Sequence, residues 1–120
     1  MDILCKIGGF EIAGIAGAAL AAASQGTAVV LDGLISTAGG LIASLIQPQV
    51  TGYFVAGHQS VEPAHQAALA FMKLRPVLNL GMRLGEGTGA ALAMNILEAS
   101  CKIMNEMASF EDAGVSEKQN

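Results

Sequence analysis

A single carboxylate between two glycines is the part of this sequence best suited to chemistry. Glu86 stands between Gly85 and Gly87, three residues after Arg83, and a helix-forming run follows at once. Glycine lets the backbone turn through conformations closed to other residues and approach a ligand closely. The N-terminus of a helix suits a phosphate or a carboxylate. On spacing alone, the simpler role for Glu86 is to stabilise the first turn of the helix that follows. The alternative is that Glu86 acts as a base or as a clamp for a polar substrate.

The helices that would position this carboxylate are marked by apolar residues at helical intervals. Ile12, Ile15 and Ala19 have this spacing in the first of them, and Gln25-Gly26 closes it. A proline at position 63 suits the first turn of another helix. The predicted helices are Glu11–Ser24, Ile35–Ile46, Glu62–Met72 and, from about Thr88 to Met107, a long C-terminal helix.

Short apolar runs between these helices predict buried strands, because both faces of a covered parallel strand are apolar. The runs are Thr27–Leu31, Tyr53–Ala56 and, more weakly, Pro76–Leu80. Alternation of strands and helices predicts an α/β fold, a parallel sheet with flanking helices joined by right-handed crossovers.

Polar residues follow each predicted strand. Asp32-Gly33 follows the first, 57–60 follows the second, and the segment from Arg83 to Gly87 follows the third. Ligands of open parallel sheets collect beyond the carboxyl ends of the strands. These three clusters should therefore meet at one edge.

Each candidate residue in these clusters also has a plain structural role. Asp32 could bind a ribose hydroxyl or orient a substrate, but Asp-Gly is also common in turns. Ser60 could donate to a phosphate, although capping the next helix is the simpler role. Arg83 could clamp an anion or pair with Glu86. His58 and His65 lack a third ligand, so no metal site is predicted.

Composition limits the class of partner. A net charge of −4 without a Lys/Arg cluster argues against nucleic acid binding. The apolar runs 12–23 and 34–46 fall short of the roughly 20 residues that a membrane span needs, and no signal peptide is recognisable, so we expect a cytoplasmic protein without membrane contact. Cys5 and Cys101 should be reduced and buried.

The charged fraction is low for a domain that meets solvent on every side. Charged residues make up 13% of the sequence, whereas about 25% is usual for a globular domain. This deficit predicts a surface that is covered by another subunit or by another part of the same protein.

Four blocks of the sequence resemble one enzyme family. They are the runs 7–18 (IGGFEIAGIAGA), 30–33 (VLDG), 58–63 (HQSVEP) and 82–93 (MRLGEGTGAALA). They occur in the order and at the spacing seen in nicotinate-nucleotide–dimethylbenzimidazole phosphoribosyltransferases of cobalamin biosynthesis. The resemblance implies a Rossmann-like parallel sheet with a smaller helical domain, usually in a homodimer.

The resemblance also implies a reaction and a set of residues. Nicotinate mononucleotide gives its phosphoribosyl group to 5,6-dimethylbenzimidazole, yielding α-ribazole 5′-phosphate and nicotinate with inversion at the anomeric carbon. Glu86 matches the family's general base. No metal or prosthetic group is expected. The residues that match the ribose-phosphate pocket are Asp32, Gly33, Ser60, Arg83, Leu84 and Gly85.

The resemblance is to the C-terminal third of the family, so we expect a fold that is incomplete relative to it. Residues 1–108 would form the C-terminal part of the catalytic domain, and 109–120 a polar flexible tail. The residues that bind the benzimidazole lie upstream in the family. We therefore expect this chain to be a homo-oligomer or to pair with a missing N-terminal portion. The alternative function is a catalytically inactive module for assembly or ligand binding.

Overall fold

Two short parallel strands, β1 (Val29–Leu31) and β2 (Phe54–Ala56), form the sheet of the part of the chain that the structure describes. This structure is a computed structural model that describes residues 2–83 and 85–114. In the strand register, Val29 lies opposite Phe54 and Leu31 lies opposite Ala56. The connection runs through α3 (Leu34–Ile46) and a 3₁₀ helix (Pro48–Tyr53). The predicted α/β fold with a parallel sheet is confirmed.

The remaining helices flank this strand pair. They are α1 (Asp2–Ile7), α2 (Phe10–Ser24), α4 (Pro63–Phe71) and the long C-terminal α5 (Thr88–Glu106). The four helices predicted from periodicity are thus confirmed with no end shifted by more than one residue, whereas α1 and the 3₁₀ helix were not predicted.

Small residues let α2 and α3 pack closely beside the sheet. Ala16 and Ala19 of α2 are buried, and Gly39 of α3 is buried opposite them. A methyl group on Gly39 would overlap the Ile15 side chain and lie 2.7 Å from its Cβ. The core formed here is small, and its buried members are Ala16, Ala19, Leu31, Ala43, Val50, Phe54 and Met72.

The prediction of a third strand over Pro76–Leu80 is wrong. This segment runs parallel to the end of β2, and Val77 N–H donates to the Ala56 carbonyl at 2.8 Å. The pairing extends only to a single bridge between His58 and Leu78. Proline has no N–H with which to start a ladder, and beyond Leu78 the Leu80 N–H donates to the His58 ring at 3.4 Å.

The region after α5 is described only to residue 114. Ser109 and Asp112 form a turn in which the Ser109 hydroxyl and N–H both donate to the Asp112 carboxylate. The rest of the predicted tail, 115–120, lies outside the described residues. Cys5 and Cys101 are free thiols but exposed, so their predicted burial is wrong.

Among the described helices, none has both the length and the apolar character needed to cross a bilayer.

Two glycines at helix-interior positions give a test of the α2–α3 packing. Gly39→Ala should destabilise the fold by about 1–3 kcal/mol, because a crowded core must shift to admit a methyl group. Gly14→Ala in α2 meets open space and should stabilise it by roughly 0.5–1 kcal/mol. Urea unfolding followed by circular dichroism measures both. Equal stability of the two variants would contradict the close packing.

Candidate active site

A cleft of about 550 Å³ lies at the carboxyl edge of the two strands. This volume is within the range of small-molecule sites. Its walls come from the ends of β1 and β2, the first turn of α3 and the loop before α5. Predicted site residues that line it are Asp32, Gly33, Ser60, Arg83, Gly85 and Glu86, and Leu84 lies outside the described residues.

The Asp32 carboxylate is bound to the N-terminus of α5. Its Oδ1 accepts the Ala90 N–H at 2.9 Å, and its Oδ2 accepts the Gly87 N–H at 3.1 Å. A helix N-terminus carries unpaired N–H groups and partial positive charge, so a carboxylate stabilises it. The anion that binds this helix end is therefore the Asp32 side chain, which lies 55 residues before Gly87 in the sequence.

Glycines allow α5 to approach the strand ends this closely. A methyl group on Gly89 would overlap the His58 side chain and lie 2.8 Å from Asp32 Oδ1. One on Gly57 would lie 3.0 Å from the Cα of Ala90. The Ala90 backbone and the side chains of His58 and Asp32 leave no room for a methyl group, so glycine at these two positions lets the first turn of α5 lie against the sheet edge.

Glu86 occupies a backbone conformation that is rare for a residue with a side chain. Its φ is 55°, and its neighbours Gly85 and Gly87 have φ values of 76° and 80°. The left-handed conformation costs an L-residue roughly 1–2 kcal/mol. Such strain persists where the surroundings determine the backbone, and it is concentrated at functional sites. The turn presents the exposed Glu86 side chain at the cleft.

Arg83 does not pair with Glu86 in this arrangement. Within residues 2–83 and 85–114, the ion pairs shorter than 4 Å join Lys6 to Asp2 and Lys102 to Glu98. The exposed Arg83 guanidinium therefore remains available to a ligand in the cleft.

The predicted capping of α4 by Ser60 is wrong, because Glu62 is the N-cap residue and makes no side-chain cap hydrogen bond. Ser60 instead lines the cleft. Its Oγ accepts the N–H of Glu62, the residue before α4, at 3.3 Å. A hydroxyl that accepts one hydrogen bond keeps its own proton to donate. The Ser60 hydroxyl proton can therefore still be donated to a ligand in the cleft.

The first turn of α3 is a part of the cleft that the sequence analysis did not identify. Gly33 precedes this helix, and Leu34, Ile35 and Ser36 line the cleft. The first N–H groups of a helix have no acceptor within it. The Ser36 hydroxyl accepts the Asp32 N–H at 2.9 Å and donates to the Gly33 carbonyl at 3.0 Å. A serine three residues after Gly33 is the sequence pattern that could have indicated this helix start.

The two histidines are buried parts of the cleft's support. His58 lines the cleft, and His65 lies on α4 with its ring enclosed. No group of three or more His, Cys, Asp or Glu side chains in the described ranges is placed to hold a metal ion. Burial lowers the pKa of His65, the nearby His58 lowers it further, and Asp32 opposes this.

Comparison with known proteins assigns the chain to a family. Residues 1–115 match the family model described as Phosphoribosyltransferase. The chain is 59% identical over 120 residues to the nicotinate-nucleotide–dimethylbenzimidazole phosphoribosyltransferase of Dehalococcoides mccartyi, and 54% identical over 118 residues to that of Chloroflexus aurantiacus. This chain belongs to the nicotinate-nucleotide–dimethylbenzimidazole phosphoribosyltransferase family. The resemblance noted in the sequence is confirmed.

Solved structures agree with this assignment. The crystal structure of the Thermus thermophilus enzyme of the same name matches with a TM-score of 0.91 and 44% identity, over 96% of this chain. The chain spans about a third of the length of its relatives, 34% of the Dehalococcoides mccartyi protein and 34% of the Thermus thermophilus chain.

Replacing the Asp32 carboxylate by an amide tests its hold on α5. Asp32→Asn should lower the free energy of unfolding by about 1–3 kcal/mol, because the amide offers an oxygen to only one of the two N–H groups and removes the negative charge from the start of α5. Asp112→Asn is the matched control, since Asp112 also accepts two hydrogen bonds but is exposed; it should change stability by less than about 0.5 kcal/mol. Urea unfolding compares them, and equal effects would show that Asp32 does not secure α5.

Stability should also depend on pH through His65. Its folded pKa lies below the ordinary 6.5, so the unfolded chain binds the proton first as the pH falls. The free energy of unfolding should be fully retained above pH 6.5 and decline below it, by at most about 1.4 kcal/mol per pH unit. Urea unfolding between pH 7.5 and 5.5 should show a shallower decline for His65→Asn. The same slope in both proteins would contradict this.

Proposed function

We propose that this chain contributes the cleft of an enzyme that transfers the phosphoribosyl group of nicotinate mononucleotide to 5,6-dimethylbenzimidazole. The products would be α-ribazole 5′-phosphate and nicotinate, in the branch of cobalamin biosynthesis that builds the lower ligand. The observation that carries the proposal is the strained turn that presents Glu86 at the cleft. The names of the relatives supply the substrates.

In this proposal Glu86 is the general base. Its carboxylate takes the N–H proton of the benzimidazole while the other ring nitrogen attacks C1′ of the ribose. The bond from C1′ to the nicotinate nitrogen breaks, and its electron pair neutralises the pyridinium charge of the leaving ring. Positive charge develops on the ribose during the exchange, and a carboxylate nearby stabilises it. A site that excludes water protects this carbon from hydrolysis.

Binding of the ribose phosphate would use the predicted pocket residues. The first turn of α3 after Gly33, the Ser60 hydroxyl and the Arg83 guanidinium all border the cleft and suit a phosphate. An ionised carboxylate has about four acceptor positions, and Asp32 uses two of them on α5. The others suit a ribose hydroxyl. The reaction as proposed needs no metal or prosthetic group, because the departing ring is already cationic.

The outer end of α5 supports the proposal that this chain acts with a partner. Apolar side chains are exposed there, including Met104 at 84% and Met107 at 72%, and Phe110 beyond the helix is 80% exposed. Exposed apolar surface of this kind marks interfaces. We propose a homo-oligomer or association with the remaining family sequence, in the reducing cytoplasm where free thiols such as Cys5 and Cys101 persist. The same surface favours the alternative function, an inactive module for assembly or ligand binding.

Glu86→Gln separates these two functions in an assay for α-ribazole 5′-phosphate from the two substrates. The chain is assayed alone and mixed with the complementary two-thirds of its Dehalococcoides mccartyi relative. Loss of a general base should lower product formation about 10²–10⁴-fold. Glu98→Gln, on an exposed helix face away from the cleft, is the control and should retain activity.

Two results would count against this assignment. Activity of Glu86→Gln within a factor of a few of the unchanged protein would exclude Glu86 as the base. Absence of product from the chain alone and from the mixture would favour the inactive module.

A further inference from the structure

The buried ring of His65 connects two walls of the cleft. Its Nδ1 accepts the N–H of Ser60 at 2.9 Å, and its Nε2 lies 3.0 Å from the Thr37 hydroxyl of α3. The side chain has no exposed surface. Because both contacts are buried, water cannot replace either of them without a cost to the fold.

The hydrogen bonds define the state of this ring. An N–H can only donate, so Nδ1 must be unprotonated where it accepts from Ser60. In the neutral ring the proton is then on Nε2, which donates to the Thr37 oxygen. Burial favours this neutral form. Protonation of Nδ1 would place two donors opposite each other and release Ser60.

We infer that His65 is a positioning residue, which holds Ser60 in place at the cleft by accepting its backbone N–H. Thr37 directly follows Ser36, the last first-turn residue that lines the cleft. The Thr37 contact on the other side of the ring adds to the stability of the fold, and the Nδ1 contact holds Ser60. This inference rests on the proposed function, in which both walls bind the ribose phosphate.

Substitutions at His65 can keep one contact and remove the other. Asparagine reaches about as far as Nδ1 and offers an oxygen to the Ser60 N–H, whereas glutamine reaches toward Thr37 and leaves Ser60 without an acceptor. Thr37→Val removes the other partner of the ring. All three changes should destabilise the fold, so stability alone does not identify a positioning role.

Hydrogen exchange reports the position of Ser60 directly. The amide of Gln59, which donates to the Leu78 carbonyl at 2.8 Å, is the internal reference. We expect the Ser60 exchange rate, relative to that of Gln59, to rise about tenfold in His65→Gln and to stay within about twofold in His65→Asn. Equal ratios in the two variants would overturn the inference.

Calorimetric titration with nicotinate mononucleotide gives the functional measurement. His65→Gln should raise Kd roughly three- to tenfold, since one positioning hydrogen bond is lost. His65→Asn should restore the affinity, and Thr37→Val should leave it unchanged despite lower stability. Equal loss of affinity in all three variants would reduce His65 to a structural role. If the unchanged chain does not bind the nucleotide, the proposed function fails for this chain, and the exchange ratio still decides whether His65 positions Ser60.

Discussion

The bond between the Asp32 carboxylate and the N-terminus of α5 is the constraint on which the cleft depends. Both carboxylate oxygens accept backbone N–H groups of α5, so one side chain at the end of β1 fixes where the longest helix begins. The approach this requires leaves no room for side chains at Gly57 and Gly89. In the turn just before the helix, Gly85, Glu86 and Gly87 all take left-handed conformations. The strained residue Glu86 directly precedes Gly87, whose N–H the Asp32 carboxylate binds.

The walls of the cleft are held by polar contacts more than by a large apolar core. The sheet has two strands of three residues each, and its core consists mainly of small side chains. Around it, Ser36 closes the start of α3, and His65 joins Ser60 to Thr37. Each buried contact of this kind is costly to leave unpaired. The geometry of the cleft can therefore be precise although the apolar core is small.

Local patterns predicted the elements well, and the long-range contacts much less well. The helix that became α3 shows clear periodicity and ends at Gln47-Pro48, so its bounds were accessible. The strand predicted at Pro76–Leu80 is wrong because its pairing with the segment after β2 ends at Leu78, and the Leu80 N–H donates to the His58 ring instead. Local composition does not reveal that contact. Asp32 was recognised as a candidate from its place after a strand. Its hydrogen bonds to the start of α5 join residues that are 55 and 58 positions apart in the sequence. Local sequence patterns do not predict contacts over such a separation. Cys5 and Cys101 are exposed, and their apolar character alone did not show that they lie at the surface.

We propose that the strand ends, the first turn of α3 and the turn at Glu86 form one ligand site. Nuclear magnetic resonance of the labelled chain, titrated with α-ribazole 5′-phosphate, tests it most directly. We expect the largest changes in amide chemical shift to occur together at Gly33, Ser60 and Gly85–Gly87, with one common dissociation constant. Shifts confined to the second cavity near Phe71 and Lys73, or absent at millimolar ligand, would contradict it.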